Sequence, residues 1–369
     1  MATLSQIALT FIPKLGPTAI RRLEEVYPGE DLFALPKSEL RAAFGKHSDI
    51  AESIASKSSH ARAEEELAFC ERSGIRPLWF TDADYPQRLN RPECGDSPAL
   101  LYAMGTADLN AERTVSVVGT RRATALGRDN TDRLVRDLKP YNTPIVSGLA
   151  YGIDTAAHTA ALDHGLPTVA VLGHGLDRIY PAENRPLAKR ILAAGGTLLT
   201  EYPSGTAIHP THFPARNRIV AALGDATVVV EASEKGGALI TAAIAASYDR
   251  DVFALPGRLG DTYSRGCLNL VATQRALLLR TADDIAFHLG WPLAGQQLSI
   301  AEVDNSPTLS PMERRTLDLL HENDRMTLDE VAARLATSLP KAAALMFNLE
   351  MQGLVHTLPG HLYQATGKS

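Results

Sequence analysis

The stretch TVSVVGTRRATALG, Thr114 to Gly127, decides the fold. Its β-branched run, Thr114, Val115, Val117 and Val118, reads as a strand buried on both faces, as strands of a parallel sheet are. The run stops at Gly119; Thr120, Arg121, Arg122 and Thr124 come next, and a helical pattern opens after Gly127. Strand, glycine turn and helix bring free backbone N–H groups and a helix N-terminus to one point, where an anion sits readily. Two arginines at that point make phosphate the natural ligand, the alternative for Arg121 being an ion pair with Glu201 or Glu231. The motif is not a dinucleotide fingerprint. Gly119 and Gly127 lack the G-x-G-x-x-G spacing and no acid is placed for a ribose, so no cofactor is expected.

Working outward, strand-like and helical runs alternate. Strands are expected at 114–118, 144–147, 167–172, 197–201, 226–231 and 251–255, and helices at about 127–138, 154–164, 184–194, 215–223 and 238–248. Near-continuous apolar strands alternating with helices mean a parallel sheet covered on both faces, an α/β fold. The segment 256–289 adds a helix, a strand and a helix. The segment after each strand is rich in glycine or polar residues: GTRR, SGLAYGID, GHGLDRIYP, YPSGT, EASEKGG and PGR. All of these belong at the carboxyl edge of the sheet, where open α/β folds bind ligands.

Three cationic clusters fall on that edge. Besides Arg121 and Arg122, the run PTHFPARNRIVAAL (210–223) sets Pro214 at a first helical position and Arg216, Asn217 and Arg218 in the first turn. Cations there oppose the helix macrodipole by about 0.3–1 kcal/mol each, so an anion is expected to offset them, unless carboxylates at the sheet edge do so. Lys235-Gly236-Gly237 opens the next helix and supplies a point charge, or an ordinary exposed lysine. Phe213, beside the RNR turn, is the aromatic best placed to stack on a base; Tyr151, Tyr180 and Tyr202 stand at other mouths. Asp154 reads as a helix cap and His158 as a packed core histidine, while Tyr180 and Asn184 line the crevice. Glu201 and Glu231 end strands, but no nucleophile–base pair or paired carboxylates emerge, so no catalytic residue is expected.

The flanks differ. Residues 1–70 show short helical repeats around Pro13-Lys14-Leu15-Gly16-Pro17, with Arg21 and Arg22 on the following helix. That is either the hairpin of a helix-hairpin-helix module, whose turn binds a DNA phosphate, or a plain helical bundle. Residues 291–308 are polar and aperiodic and read as a linker. Residues 309–369 give three helices, the second opened by the capping box Thr327 to Glu330, and a hairpin, the pattern of a winged helix. Its third helix carries one base, Lys341, and one acid, Glu350, so it reads as a protein-interaction module and not a reader of duplex grooves.

The whole chain has 369 residues, enough for two or three domains, with 45% hydrophobic and 21% charged residues and a formal net charge of −5. No global basic field exists, so a nucleic-acid site must be a local patch. Cys70, Cys94 and Cys267 have no metal or disulfide spacing, which fits a reducing cytoplasm. The opening MATLSQIALTFIPKLGP has no basic segment ahead of a long apolar run, so neither a secretory signal nor a membrane span is expected.

The blocks SVVGTRRATALG, VSGLAYGIDTAAH, VAVLGHGLDRIYPAEN, FPARNRIVAAL and VVVEASEKGGALITA closely resemble, in order, those of the DprA/Smf family of DNA-processing proteins. The resemblance implies an extended Rossmann-like domain at 75–290, an N-terminal helical domain of SAM or helix-hairpin-helix type at 1–70, and a C-terminal winged helix at 309–369. It implies binding of single-stranded DNA without catalysis, a homodimer, and loading of RecA recombinase onto strands, including those coated by single-strand-binding protein, in natural transformation. Carried over by motif, the DNA-contacting positions are Arg121 with Arg122 beside it, Gly148, Phe213, Arg216, Arg218 and Lys235. The chain departs from the family at Tyr151 (usually Arg), Gly236 (usually Ser), the GCLN run at 266–269 and Arg275 (usually Gly), the last a charge expected to offset part of the loss at Tyr151. A rival reading is a nucleotide phosphoribohydrolase of the lysine-decarboxylase-like family, whose P-G-G-x-G-T loop is broken here at Pro256-Gly257-Arg258.

Overall fold

A computed structural model of the chain describes residues 2–45, 48–292, 309–323, 325–358 and 362–366. They divide into two compact units, Met1–Gly295 and Gln296–Ser369. In the first, α1 (Leu4–Thr10), α2 (Pro17–Val26), α3 (Lys37–Phe44), α4 (Ser48–Ala55) and α5 (His60–Ser73) lead into β1 (Ile75–Trp79) and β2 (Leu100–Gly105). Then come β3 (Val115–Val118), α6 (Ala125–Leu138), β4 (Ile145–Ser147), α7 (Ile153–Asp163), β5 (Thr168–Leu172), α8 (Arg185–Ala193) and β6 (Thr197–Thr200). The unit closes with α9 (His212–Leu223), β7 (Ala226–Val229), α10 (Gly237–Ser247), β8 (Asp251–Ala254), α11 (Arg265–Ala272), β9 (Leu277–Leu278) and α12 (Ala282–His288).

The strands form one nine-stranded sheet in the order β1-β2-β6-β5-β4-β3-β7-β8-β9. From β6 to β9 every pairing is parallel, as the apolar runs require. Beyond β6 the sheet turns antiparallel through β2 and β1, an extension the sequence pattern did not suggest. Alternate residues face opposite layers. Val115, Val117, Ile145 and Val228 pack on α6, α7 and α12, while Val118, Val146, Val171 and Val229 pack on α9, α10 and α11. The chain runs outward from β3 through β4 and β5 to β6, then returns to place β7 on the other side of β3. That reversal opens a crevice between the carboxyl ends of β3 and β7.

The five N-terminal helices share one apolar cluster with β1 and β2, including Ile7, Ile20, Leu40, Ile54, Trp79 and Tyr102. The turn between α1 and α2 lies where a helix-hairpin-helix would put it, but its cations are engaged. Arg21 turns inward, donating to Asn90 Oδ1 at 3.0 Å and to the Pro98 carbonyl at 2.9 Å, 4.5 Å above the Phe80 ring. Lys14 pairs with Asp49 at 2.7 Å. Lys14, though paired, stays exposed, as does Arg22. The helices therefore brace the antiparallel end of the sheet.

The second unit contains α13 (Pro311–Asn323), β10 (Met326–Thr327), α14 (Leu328–Arg334), α15 (Leu339–Met351), β11 (Val355–Leu358) and β12 (Leu362–Ala365). The expected capping box is present at Thr327 and Glu330. The strands pair as β10-β12-β11 beside a core of Leu320, Val331, Met346 and Leu349, giving three helices and a wing. Most of the expected linker, 293–308, and the wing turn, 359–361, lie outside the described residues. No described helix is long and apolar enough to cross a membrane.

Candidate nucleic-acid interface

The β3 strand ends as its sequence predicts, and Gly119 to Arg122 turn over its carboxyl end. The Thr120 amide donates to the Glu231 carbonyl at 2.7 Å and the Ile153 amide to the Thr120 carbonyl at 3.2 Å, so the turn is tied to both neighbouring loops. Thr124 caps α6 through its hydroxyl, which accepts from the Gly127 amide. Glu231 is committed to the same cap, accepting from the Thr124 amide at 3.0 Å and the Thr124 hydroxyl at 2.5 Å. Its carboxylate fills the space a Cβ on Gly127 would take, 2.2 Å from the nearest oxygen, so a side chain there would displace Glu231 from the cap.

With Glu231 so occupied, Arg121 has no carboxylate within ion-pair distance among the described residues. It is exposed, and its guanidinium lies 5.6 Å from the centre of the Phe213 ring. The Phe213 ring also meets Tyr180 at 5.5 Å, so arginine and two aromatics form a continuous surface. Arg122 is exposed beside it. The adjoining cleft, of about 330 Å³, is lined by Thr120, Arg121, Ala150, Phe213, Asn217 and the start of α10, Gly236 to Ala238. Gly236 takes the N-cap position without a side-chain cap, which leaves the first amides of α10 facing the cleft for an anion.

Arg216 and Arg218 are not where the sequence argument puts them. The helix α9 begins at His212, two residues before Pro214, so both arginines lie beyond the first turn and the macrodipole argument does not apply. Two residues apart on a helix, they point to different sides. Arg216 is 3% exposed; its Nη1 donates to the carbonyls of Gly148, at 2.5 Å, and Val171. It thereby straps the loop that leaves β4 to the carboxyl end of β5, and its guanidinium lines the cleft. Burial pulls its pKa down to about 10, against the opposing pull of Asp154. Asp154 is itself buried and accepts from the Ala150 amide at 3.2 Å; burial raises its pKa and Arg216 counters the rise. It stands at the second position of α7 and not at the cap, which is Gly152.

Gly148 fits between these two charges. A Cβ there would lie 2.6 Å from Arg216 Nη2 and 2.7 Å from Asp154 Oδ2. Arg218 turns away and donates to Glu201 Oε2 at 2.6 Å, with Asp96 3.7 Å from its Nε. The carboxylate alternative therefore holds for Arg218, which is not a free cation on the rim. Burial weakens its charge, but Glu201 more than reverses this and holds its pKa up. Lys235 is exposed and opens a separate groove along α10, lined by Leu239, Ile240 and Ile244, one residue from the cleft.

Several neighbours complete the rim. A narrow slot of about 30 Å³ runs from Arg121 past Tyr151, Leu172, Gly173 and Pro181. It is too small to admit a base, so a planar ligand would lie over its exposed aromatics. Tyr151 donates to Glu183 at 2.5 Å and keeps 42% of its surface exposed. Asn184 is buried, donating to the Leu149 carbonyl at 2.9 Å, and supports the rim from below. His158 is a core histidine as read: fully buried, its Nδ1 2.7 Å from the Thr168 hydroxyl, with a pKa pushed down to about 3 by burial and then by Arg216. Arg275 lines neither cleft nor slot, so it does not stand in for an arginine at 151. No group of three or more metal-ligating side chains occurs among the described residues.

Comparison with known proteins identifies the family. Residues 76–290 match the family model for DNA recombination-mediator protein A, and 301–361 match a DprA winged helix domain. The chain is 36% identical over 328 residues to Protein Smf of Synechocystis sp., covering 80% of this chain and 81% of that one. To the DNA processing protein DprA of Streptococcus pneumoniae it is 42% identical over 204 residues, 55% of this chain and 71% of the relative. The X-ray structure of the Streptococcus pneumoniae protein superposes with a TM-score of 0.67 at 32% identity, over 78% of this chain and 98% of that one. A Helicobacter pylori DNA processing protein A, whose structure was described for its single-stranded DNA binding mode, superposes with a TM-score of 0.52 at 30% identity, over 58% of this chain and 95% of that one. The chain belongs to the DNA recombination-mediator protein A family, the DprA/Smf DNA-processing proteins.

Proposed function

We propose that the chain binds single-stranded DNA along the carboxyl rim of its parallel sheet, protects the incoming strand in the cytoplasm and passes it to RecA recombinase during natural transformation, without catalysing a reaction. The observation that carries this reading is the unpaired Arg121 over Phe213, beside the open amides at the start of α10. Backbone amides and guanidinium groups take phosphates of any sequence, and the aromatics take bases. In this reading Arg121, Arg122 and Lys235 contact phosphates, Phe213 stacks on a base, and Gly148 leaves room for Arg216 and Asp154 beneath the strand. Arg216 acts from the lining of the cleft through its charge, and Arg218 holds the rim through Glu201.

The same reading divides the chain into a bracing helical segment (1–70), the DNA-binding sheet (75–290), a linker (291–308) and a winged helix (309–369) that meets proteins. Leu339, Phe347 and Met351, exposed on α15, support that last role. RecA recombinase and single-strand-binding protein are the partners that family membership suggests. A homodimer is favoured by the open sheet edge at β9, where Leu277 and Leu278 are exposed and Phe287 of α12 is 77% exposed.

The test is a binding titration with single- and double-stranded DNA of one sequence across a salt series, with nucleoside monophosphates incubated in parallel. Preference for the single strand, with no base released, is expected. Equal or tighter duplex binding would overturn the reading, and released base would replace it with a phosphoribohydrolase.

A further inference from the structure

The start of α9 divides two sets of rings. Phe213 turns toward Tyr180 and Arg121, whereas its neighbour His212 turns the other way, toward the carboxyl end of β6. There the His212 ring stacks on Tyr202 with centroids 4.4 Å apart and planes 24° apart, and His209 lies 5.8 Å from His212. The ladder stands at the surface. Tyr202 and His212 are half-buried, His209 is exposed, and Ile208 beside it is 39% exposed. Glu201, which precedes Tyr202, is held against Arg218 at 2.6 Å, so that carboxylate is neutralised by a partner.

We propose that Tyr202, His212 and His209 form a second base-stacking subsite for single-stranded nucleic acid. This rests on the single-stranded DNA reading above and extends it beyond Phe213. The Tyr202 and His212 rings, near parallel at van der Waals spacing, offer a flat face that accepts any base, with the exposed His209 ring tilted 55° beside them, and a face with no fixed hydrogen-bond pattern reads no sequence. The placement sets the direction of the strand. Between the amide cleft at β3 and β7 and the ladder at β6 lie β4 and β5. At about 4.8 Å per strand, the track from β7 to β6 covers about 19 Å along the rim. A strand held at both ends must cross the Phe213–Tyr180 surface on the way, so phosphates are gripped at one end and bases stacked at two successive places.

The experiment is photocross-linking with oligothymidines carrying a single 5-iododeoxyuridine at successive positions, the adducts mapped by mass spectrometry on the full chain. Two sets of adducts are expected, on Phe213 or Tyr180 from one group of positions and on Tyr202, His209 or His212 from positions further along. Adducts on the first set alone would overturn the second subsite and leave the first reading standing. No specific adducts together with no binding would overturn both. His209→Ala serves as the companion variant, since the described contacts of His209 are confined to its own loop and the His212 ring. It should bind long oligomers roughly fivefold more weakly, about 1 kcal/mol for one stacking contact, and short ones unchanged. Equal affinity at every length would count against the subsite.

Discussion

Replacing Arg216 with methionine tests whether a buried arginine in this fold is a strap or a ligand. The guanidinium donates to two buried carbonyls, of Gly148 and Val171, and faces Asp154 across Gly148. Methionine fills much of the volume but donates nothing. Each orphaned carbonyl costs about 1–3 kcal/mol. An uncompensated buried carboxylate raises the whole to about 3–5 kcal/mol, a large part of the 5–15 kcal/mol by which a domain is typically stable. The loss should shrink as the pH falls, because a protonated Asp154 no longer needs a counter-charge. Tryptophan fluorescence in urea is the assay, since Trp79 and Trp291 are the only tryptophans and both lie in the first unit. Arg216→Met should lower the unfolding midpoint, and adding Asp154→Asn should recover part of the loss, the coupling expected of neighbouring charges. An unchanged midpoint, with weaker DNA binding and a flatter salt dependence, would make Arg216 a phosphate ligand and refute the strap.

Arg121→Ala and Lys235→Ala should leave the urea midpoint alone and weaken single-strand binding for every sequence. Each should flatten the log–log salt slope by about 0.7 for every phosphate that the side chain had neutralised, and an unaltered slope would remove that residue from the interface. Phe213→Ala should cost about 1–3 kcal/mol of binding and Phe213→Tyr little, whereas equal losses would mean that no base stacks there. His158 stays neutral in the fold, with a pKa of about 3 against about 6.5 when unfolded. Between those values the unfolded chain binds one more proton, so stability falls by up to about 1.4 kcal/mol for each pH unit of acidification. His158→Gln should therefore denature less steeply over that window in an acid titration; identical curves would show that His158 does not govern it.

Much of the parallel sheet could be read from the chain because β-branched runs such as SVV and TVVV have no other place to go. β1 was not. It carries Pro77 and forms an edge of the sheet, where a missing N–H is tolerated, so its pattern resembles a loop. β2, LLYAMG, is a short apolar run that periodicity alone does not assign. At the site, Arg121 was legible from the turn that carries it. The fates of Arg216 and Arg218 were within reach too: side chains two apart on a helix diverge, so one site for both was excluded by geometry. Their partners were not. Asp154 and Glu201 come from other parts of the chain, and only the assembled sheet brings them near. Glu231 is similar, since its capture by Thr124 depends on Gly127 leaving room for the carboxylate.

The most direct measurement is a crystal structure of the chain with a short oligothymidine. A phosphate within hydrogen-bond distance of Arg121 and of the Gly237 and Ala238 amides, with a base against Phe213, is the expected result. A strand seated instead on the N-terminal helices or on α15, with the crevice between β3 and β7 empty of it, would contradict the account.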